Sequence, residues 1–367
     1  MKAIITGGGT GGHIYPALAV AEELKNKDWE ILYLGSDYRM ESEIVPAANF
    51  NFEGLAVRPL PREISTKIIS SIFYNSKAFF RAIKLILEFK PDVIIGTGGF
   101  VAGPVVLAGA LLGKKTVIHE QNAYPGITNK LLARVVDRVC LNFPEAGEYF
   151  NISQKKIRIT GNPVRPRIFN VDSERAHQEL NLQTELKTIL ITGGSLGAEV
   201  INQNVVELYQ YALQNNIQII HLSGKKNYSL LIDQLKKWGI DPEKPQLKII
   251  DYLDEMEYAL TAADIIIARA GATGLSEITS SKKASILIPF AGAAENHQLL
   301  NAQALQKNGA AVLLEESELS GRILLDKVRE IIEDEEKLRS MSEAAGALSQ
   351  EDSLKKLIKV IEKLTSE

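Results

Sequence analysis

The chain is poor in the residues that build the commonest chemical sites. It has one cysteine, Cys140, in 367 residues. That excludes an internal disulfide and a thiolate metal site, and its place in the run Arg138-Val139-Cys140-Leu141 suits a core thiol in a reducing compartment. No His-x-x-x-His spacing occurs, so no zinc is expected. No Gly-Lys-Ser/Thr follows any glycine turn, which excludes a P-loop. No Asp-x-Asp is present to hold a metal against a nucleotide pyrophosphate. The net charge is only −3, so no global field draws the chain to nucleic acid. The longest uncharged apolar run, 100–113, holds glycines and a proline and is short for a membrane span. A strand pattern begins within three residues of Met1, so no signal peptide is expected ahead of it. These absences point to a cytoplasmic protein without a resident metal, and leave a membrane surface open to it.

What is present is 45% hydrophobic and 24% charged, the composition of a globular protein. The length exceeds what one core usually holds, so two domains are expected. Short β-branched runs at 3–6, 31–35, 52–58, 93–96, 116–120, 139–142 and 157–160 alternate with helical patterns at 14–27, 65–90, 103–112, 127–133 and 144–150. The segment Gly161-Asn162-Pro163-Val164-Arg165-Pro166 breaks that rhythm and suits a stiff hinge. The rhythm restarts with strands at 188–192, 218–223, 247–251, 264–268, 284–289 and 311–315. Helices are expected at 197–214, 228–238, 255–263, 274–281, 296–306, 320–333 and 353–364. This predicts α/β architecture: two doubly wound, Rossmann-like parallel sheets facing across a cleft. The expected division is 1–162, 163–345 and a C-terminal helix in 346–367 that packs back on the first domain. Ligands of such sheets bind beyond the carboxyl ends of the strands.

Those ends carry the glycine. Thr6-Gly7-Gly8-Gly9-Thr10-Gly11-Gly12-His13 follows the first strand, and Thr192-Gly193-Gly194-Ser195-Leu196-Gly197-Ala198 follows the first strand of the second half. Each presents backbone N–H groups and a helix N-terminus to an anion. Gly7, Gly9 and Gly12 also satisfy G-x-G-x-x-G, with Asp37 where a ribose-binding acid would lie. A third cluster, Gly96 to Pro104, includes Gly98 and Gly99 and brings backbone close to a ligand.

Further polar residues gather at strand ends. His119-Glu120-Gln121-Asn122 closes one strand and is a better ligand-contact choice than a packing choice. Arg269-Ala270-Gly271-Ala272-Thr273-Gly274-Leu275-Ser276-Glu277 opens a helix in the second half. There Glu277 suits the two hydroxyls of a ribose. Gln298 and Asn301 lie one turn apart and suit a sugar. His13, His119 and His297 sit at strand ends or helix starts, whereas His177 suits a surface helix and His221 a core strand. Between Arg58 and Lys90, seven basic residues face two acidic ones, interleaved with more apolar residues than one helical face can bury. Lys67, Ile68, Ile72, Phe73, Phe79 and Arg81 suit an anionic membrane surface.

Seven motifs in order, Gly7–His13, Gly96–Pro104, His119–Asn122, Gly161–Arg165, Gly193–Ala198, Arg269–Glu277 and Pro289–Ala302, resemble the bacterial cell-wall glycosyltransferases that add N-acetylglucosamine to undecaprenyl-pyrophosphoryl-muramoyl-pentapeptide. The resemblance covers nearly the whole chain. It implies the GT-B fold, with the lipid acceptor on the first domain and UDP-N-acetylglucosamine mainly on the second. It implies donor contacts at Thr10, Gly11, Gly12, Asn122, Arg165, Ser195, Leu253, Ala272, Thr273, Gly274, Leu275, Ser276, Glu277 and Gln298. His13 matches the histidine proposed as general base, and Gly8, Gly9, Gly98 and Gly99 are expected to meet the acceptor's pyrophosphate. The expected reaction is inverting and needs no metal or other cofactor, at the cytoplasmic face of the membrane, with no nucleic-acid partner. Leu196, Gly274 and Leu253 depart from residues common among relatives, and the loop 291–297 varies. An NAD-dependent oxidoreductase would use Asp37 and the first glycine turn, but leaves the second cradle and Glu277 without a task. A non-catalytic binding protein leaves His13 without one. A UDP-sugar epimerase of the same fold would not need the basic apolar patch.

Overall fold

The computed structural model describes residues 1–59, 67–164, 166–194 and 196–366, with backbone alone at Lys67 and Pro166. Arg165, Ser195 and residues 60–66 of the basic segment lie outside the described residues. The chain divides into two units, Met1–Val164 with Asp352–Glu367, and Arg165–Glu351.

The first unit is built on seven strands: β1 (Lys2–Gly7), β2 (Glu30–Ser36), β3 (Asn51–Leu55), β4 (Val93–Gly98), β5 (Lys115–Glu120), β6 (Arg138–Leu141) and β7 (Ile157–Ile159). They form one parallel sheet in the order β3-β2-β1-β4-β5-β6-β7. The second unit has β8 (Thr188–Thr192), β9 (Gln218–Leu222), β10 (Leu247–Ile250), β11 (Ile265–Ala268), β12 (Ala284–Leu287) and β13 (Ala311–Leu313), in the parallel order β10-β9-β8-β11-β12-β13. Helices cover both faces, so the central strands read as continuous apolar runs: β1, β4, β8 and β11 are buried almost throughout. This is the expected pair of doubly wound sheets.

Strand order reverses between β1 and β4 in one unit and between β8 and β11 in the other. At these switch points the connections leave in opposite directions and open a crevice. The glycine turns after β1 and β4 flank the first, and those after β8 and β11 flank the second.

The C-terminal helix Ser353–Ser366 belongs to the first unit. Its Leu357, Ile358, Ile361 and Leu364 recur at helical spacing and join the core formed with Ile14, Ala17, Val20 and Leu24 of the helix Gly11–Asn26. Lys27 adds an exposed ion pair with Glu362 at 2.9 Å. The helix Glu335–Ala347 stays with the second unit, so residue 346 lies inside a helix of that unit and is not a boundary.

Three helices lie outside the periodic patterns: Glu41–Ala47, Ser173–Glu179 and Glu335–Ala347. The first contains Pro46, the second is about two largely polar turns, and the third buries only Met341 and Ala345. The expected helix 197–214 is two, Glu199–Gln203 and Val206–Gln214. Asn204 ends the first, its side chain donating to the Val200 carbonyl at 2.9 Å. Residues 144–150 tighten into a 3₁₀ turn, Pro144–Tyr149.

Leu357→Ala should destabilise the first unit by about 2–5 kcal/mol, the usual cost of truncating a fully buried leucine. A lower urea midpoint is the expected result; an unchanged one would mean that the last helix adds nothing to this core.

Candidate active site

In the first unit the turn after β1 becomes the helix Gly11–Asn26. Thr10 at its N-cap is extended and exposed and makes no side-chain capping bond. Gly11, Gly12 and His13 are half-buried there. The His13 ring turns toward the second glycine turn: Nδ1 lies 3.0 Å from the Thr97 carbonyl and 3.1 Å from Gln121 Oε1. Gly98 makes room for it. That residue has φ +107°, and a Cβ on it would stand 2.8 Å from His13 Nδ1. Thr97 Oγ1 donates to the His13 carbonyl at 2.8 Å and ties the two turns together.

His119, Glu120 and Gln121 are not ligand contacts. All three are buried and their polar atoms are used within the protein. His119 Nε2 lies 2.8 Å from the Gly161 carbonyl. Burial, opposed by that carbonyl and reinforced by His13, pushes the His119 pKa down to about 4, so the ring is neutral near pH 7. Glu120 accepts from Asn122 N and Nδ2 through one oxygen and from Gly126 N and Asn129 Nδ2 through the other, at 2.8–3.1 Å. Asn122 alone of the four is half-exposed, its amide held by Glu120.

Glu41 was not among the expected site residues. It is fully buried, and its carboxylate accepts from Gly9 N at 3.0 Å and Ser36 N at 3.1 Å. A Cβ on Gly8 would collide with that carboxylate. The Gly9 N–H is therefore already bound to an internal anion, and Gly8 serves to seat it. This corrects the expectation that the Gly9 amide meets a pyrophosphate. It also removes the donor that a dinucleotide would need. Asp37 is half-exposed beside Arg58, at 3.8 Å.

In the second unit the turn after β8 is braced from behind. Gly197 has φ +73°, and a Cβ there would run into the Ser223 carbonyl. Asn202 donates to that carbonyl at 3.0 Å, and its Oδ1 lies 2.9 Å from His221 Nε2, whose Nδ1 meets Tyr209 Oη at 2.8 Å. Burial pushes His221 down to about 3, so it is a neutral core residue. Leu196 stands 71% exposed on the turn, an apolar side chain offered to solvent.

The helix Ala272–Ser280 follows β11 after an extended Gly271 with no side-chain cap. Thr273, Gly274 and Glu277 are half-buried in its first turns. Leu275 is 1% exposed and its N–H donates to Gly271 O, so it is a core residue and not a donor contact. Ala272 is buried as well. Ser276 turns its hydroxyl onto the Ala272 carbonyl at 3.0 Å. Arg269 is committed to Glu316 at 2.5 Å and to the carbonyls of Ile288 and Pro289. Asn301 is buried and donates to Ala270 O, which corrects its expected sugar contact. Gln298 is half-buried, its Oε1 accepting from Phe290 N at 3.0 Å. Leu253 is half-buried in the loop after β10. His177, expected at the surface, is buried, its Nδ1 2.7 Å from Ser173 O.

The helix Lys67–Phe89 carries the basic apolar segment. Ile69, Ile72, Phe73 and Phe80 are more than half exposed, and Lys77 lies 4.9 Å over the Phe73 ring. Ile68 is half-buried. Phe79 packs against the core, so the exposed aromatic of that pair is Phe80. Arg81 is exposed and pairs with Glu53 at 3.1 Å. The exposed apolar set extends to Leu107, Leu111, Ile127 and Leu131 on the following helices, which the sequence patterns did not single out. Among the described residues no helix is long and apolar enough to cross a membrane, and no cluster of three His, Cys, Asp or Glu is placed to hold a metal ion.

His119 and His221 bind a proton more readily when the chain is unfolded. Their contribution to stability is therefore complete above about pH 6.5 and is lost as pH falls toward about 4. Urea midpoints measured at about pH 7 and about pH 5 should differ, with the lower value at the acid pH; equal midpoints would contradict neutral, buried rings.

The chain matches the glycosyltransferase family 28 N-terminal domain over residues 3–141 and the C-terminal domain over 188–361. It is 48% identical over 365 residues, 99% of this chain and 98% of the other, to the UDP-N-acetylglucosamine–N-acetylmuramyl-(pentapeptide) pyrophosphoryl-undecaprenol N-acetylglucosamine transferase of Halothermothrix orenii. It is 44% identical to the protein of that name from Desulfitobacterium hafniense, over 98% of each chain. The crystal structure of Acinetobacter baumannii MurG superposes with a TM-score of 0.77 at 27% identity, covering 99% of both chains. Paired glycine turns at two switch points, an imidazole at one and an acid-bearing helix at the other, thus occur in a chain that belongs to this family of N-acetylglucosamine transferases.

Proposed function

We propose that this chain transfers N-acetylglucosamine from UDP-N-acetylglucosamine to the lipid-linked acceptor undecaprenyl-pyrophosphoryl-muramoyl-pentapeptide, a step of peptidoglycan synthesis. The observation that carries the proposal is His13: a half-exposed imidazole at a helix start, anchored through one ring nitrogen. A histidine has an ordinary pKa near ~6.5 and accepts a proton in its neutral form. The acceptor's sugar hydroxyl gives its proton to His13 and attacks the anomeric carbon from the face opposite UDP. The C1–O bond to UDP breaks, and its electron pair leaves with the diphosphate. The configuration inverts.

The second unit takes the donor. Glu277 accepts from the ribose hydroxyls, and the helix start at Ala272–Gly274 meets a phosphate or the uracil. Gln298, Ser276 and Leu253 complete the sugar and base contacts. The turn after β8, with Ser195 and Arg165, stabilises the departing diphosphate without a metal. One well-placed donor of this kind is worth about 3–4 kcal/mol. With the Gly9 amide committed to Glu41, the acceptor's pyrophosphate meets the helix start at Gly11–Gly12 and the turn at Gly98–Gly99.

The exposed apolar set on the helix Lys67–Phe89 and its neighbours, with Lys77 and Lys84, fits an anionic inner-leaflet surface where the lipid acceptor resides. The chain acts as a peripheral protein on the cytoplasmic face and has no nucleic-acid partner.

Radiolabelled UDP-N-acetylglucosamine incubated with the lipid acceptor and a chelator should place label in the lipid fraction; label that appears only on adding a divalent metal would overturn the metal-free step. His13→Ala should cut kcat by roughly 10²–10⁴-fold with UDP affinity nearly intact. Wild-type-like turnover would sink the base assignment. Ile72→Ser with Phe73→Ser and Phe80→Ser should weaken binding to vesicles containing phosphatidylglycerol by roughly tenfold or more, while binding to neutral vesicles stays weak. Equal binding of variant and wild type would remove the patch from the membrane contact.

A further inference from the structure

The ring nitrogens of His13 are not equivalent, and their difference is written in hydrogen bonds that run back through the first unit. The Gly161 carbonyl 2.8 Å from His119 Nε2 can only accept. His119 is fully buried and neutral, so its one proton is on Nε2 and its Nδ1 is an acceptor. Gln121 Nε2 lies 3.0 Å from that Nδ1, 2.7 Å from the Thr97 carbonyl and 3.3 Å from the His119 carbonyl. Three acceptors around one atom set the orientation of the Gln121 carboxamide, with nitrogen toward them. Its oxygen therefore faces His13 Nδ1, at 3.1 Å. The Thr97 carbonyl, 3.0 Å away, is a second oxygen at the same nitrogen. Two acceptors require a proton on Nδ1. The lone pair of neutral His13 is then on Nε2.

We infer that Gln121, oriented by His119 and the Thr97 carbonyl, is a positioning residue that holds His13 as the Nδ1–H tautomer and presents Nε2 as the base of the transfer. The inference rests on the role proposed for His13. It adds a residue that is 1% exposed and meets His13 from behind. When Nε2 takes the proton from the acceptor hydroxyl, the imidazolium keeps both Nδ1 acceptors, and no proton has to move through Gln121 or His119. A carboxylate in the place of Gln121 would hold the same tautomer, but it could not donate to His119 Nδ1 and Thr97 O. The amide serves both sides at once.

Two measurements test it. In the wild-type protein with ¹⁵N-labelled histidine, the two-bond ¹H–¹⁵N spectrum at neutral pH should show His13, identified by its loss in His13→Ala, with a pyrrole-type Nδ1 and an imine-type Nε2. The opposite tautomer overturns the inference. Gln121→Leu should lower kcat by roughly tenfold to a hundredfold, the usual cost of losing the partner that orients a working histidine, with KM for UDP-N-acetylglucosamine within about twofold. In the His13→Ala background the same substitution should have no further effect. An equal loss in both backgrounds places Gln121 in a structural role and overturns the inference while the base assignment stands. Wild-type turnover by His13→Ala defeats the base assignment, and the inference with it.

Discussion

The first unit depends on how closely the turns after β1 and β4 approach each other. The two strands are sheet neighbours, in register from Ala3 against Val93 to Thr6 against Gly96, with a one-residue shift that sets Gly7 against Gly98. Their turns must therefore interlock or collide. Three missing side chains let them interlock. A Cβ on Gly7 would strike Thr97 Oγ1, one on Gly98 would crowd His13 Nδ1, and one on Gly99 would strike the Gly8 carbonyl. The two glycine motifs are thus one object, and the His13 ring is where they meet. The usual function of glycine in such turns is to bring backbone near a phosphate. Here much of that proximity is spent on seating an imidazole.

The strands were legible because buried parallel strands are near-continuous apolar runs bounded by turn residues. Helices that bury a full stripe were legible too. The segments Glu41–Ala47 and Ser173–Glu179 are too short and polar to show a period, and their apolar contacts come from elsewhere in the fold. Within the site, the glycine turns and His13 stood out by type and place. The direction of a polar side chain at a strand end did not. His119 finds its partner at Gly161, and Glu41 finds its own at Gly9. Such pairs are set by strand order, which no local pattern encodes. The Phe79–Phe80 pair makes the same point on a helix, where one residue is about 100° of rotation and decides core or solvent.

The two units use the same topology for different ends. Each has a histidine near its glycine turns. In the second unit His221 lies behind the turn, fully buried between Tyr209 and Asn202, with burial holding it neutral. It cannot exchange a proton with a substrate, and its contribution is to hold Asn202 against the Ser223 carbonyl that backs Gly197. In the first unit His13 is half-exposed at the helix start. His13 is thus accessible beside the glycine turns of the first unit, whereas His221 only braces those of the second.

Glu41 sets an internal carboxylate against the turn that satisfies a dinucleotide fingerprint. Its carboxylate is already at the Gly9 amide, fully buried. A phosphate oxygen brought to the same place would stand within a few ångströms of an existing negative charge. Two unit charges ~4 Å apart repel by about 4 kcal/mol at an effective dielectric constant of about 20. Loss of the Gly9 hydrogen bond would add to that. The carboxylate thus disfavours an anion at the Gly9 amide, while the half-buried helix start at Gly11–His13 lies beyond its hydrogen bonds to Gly9 and Ser36.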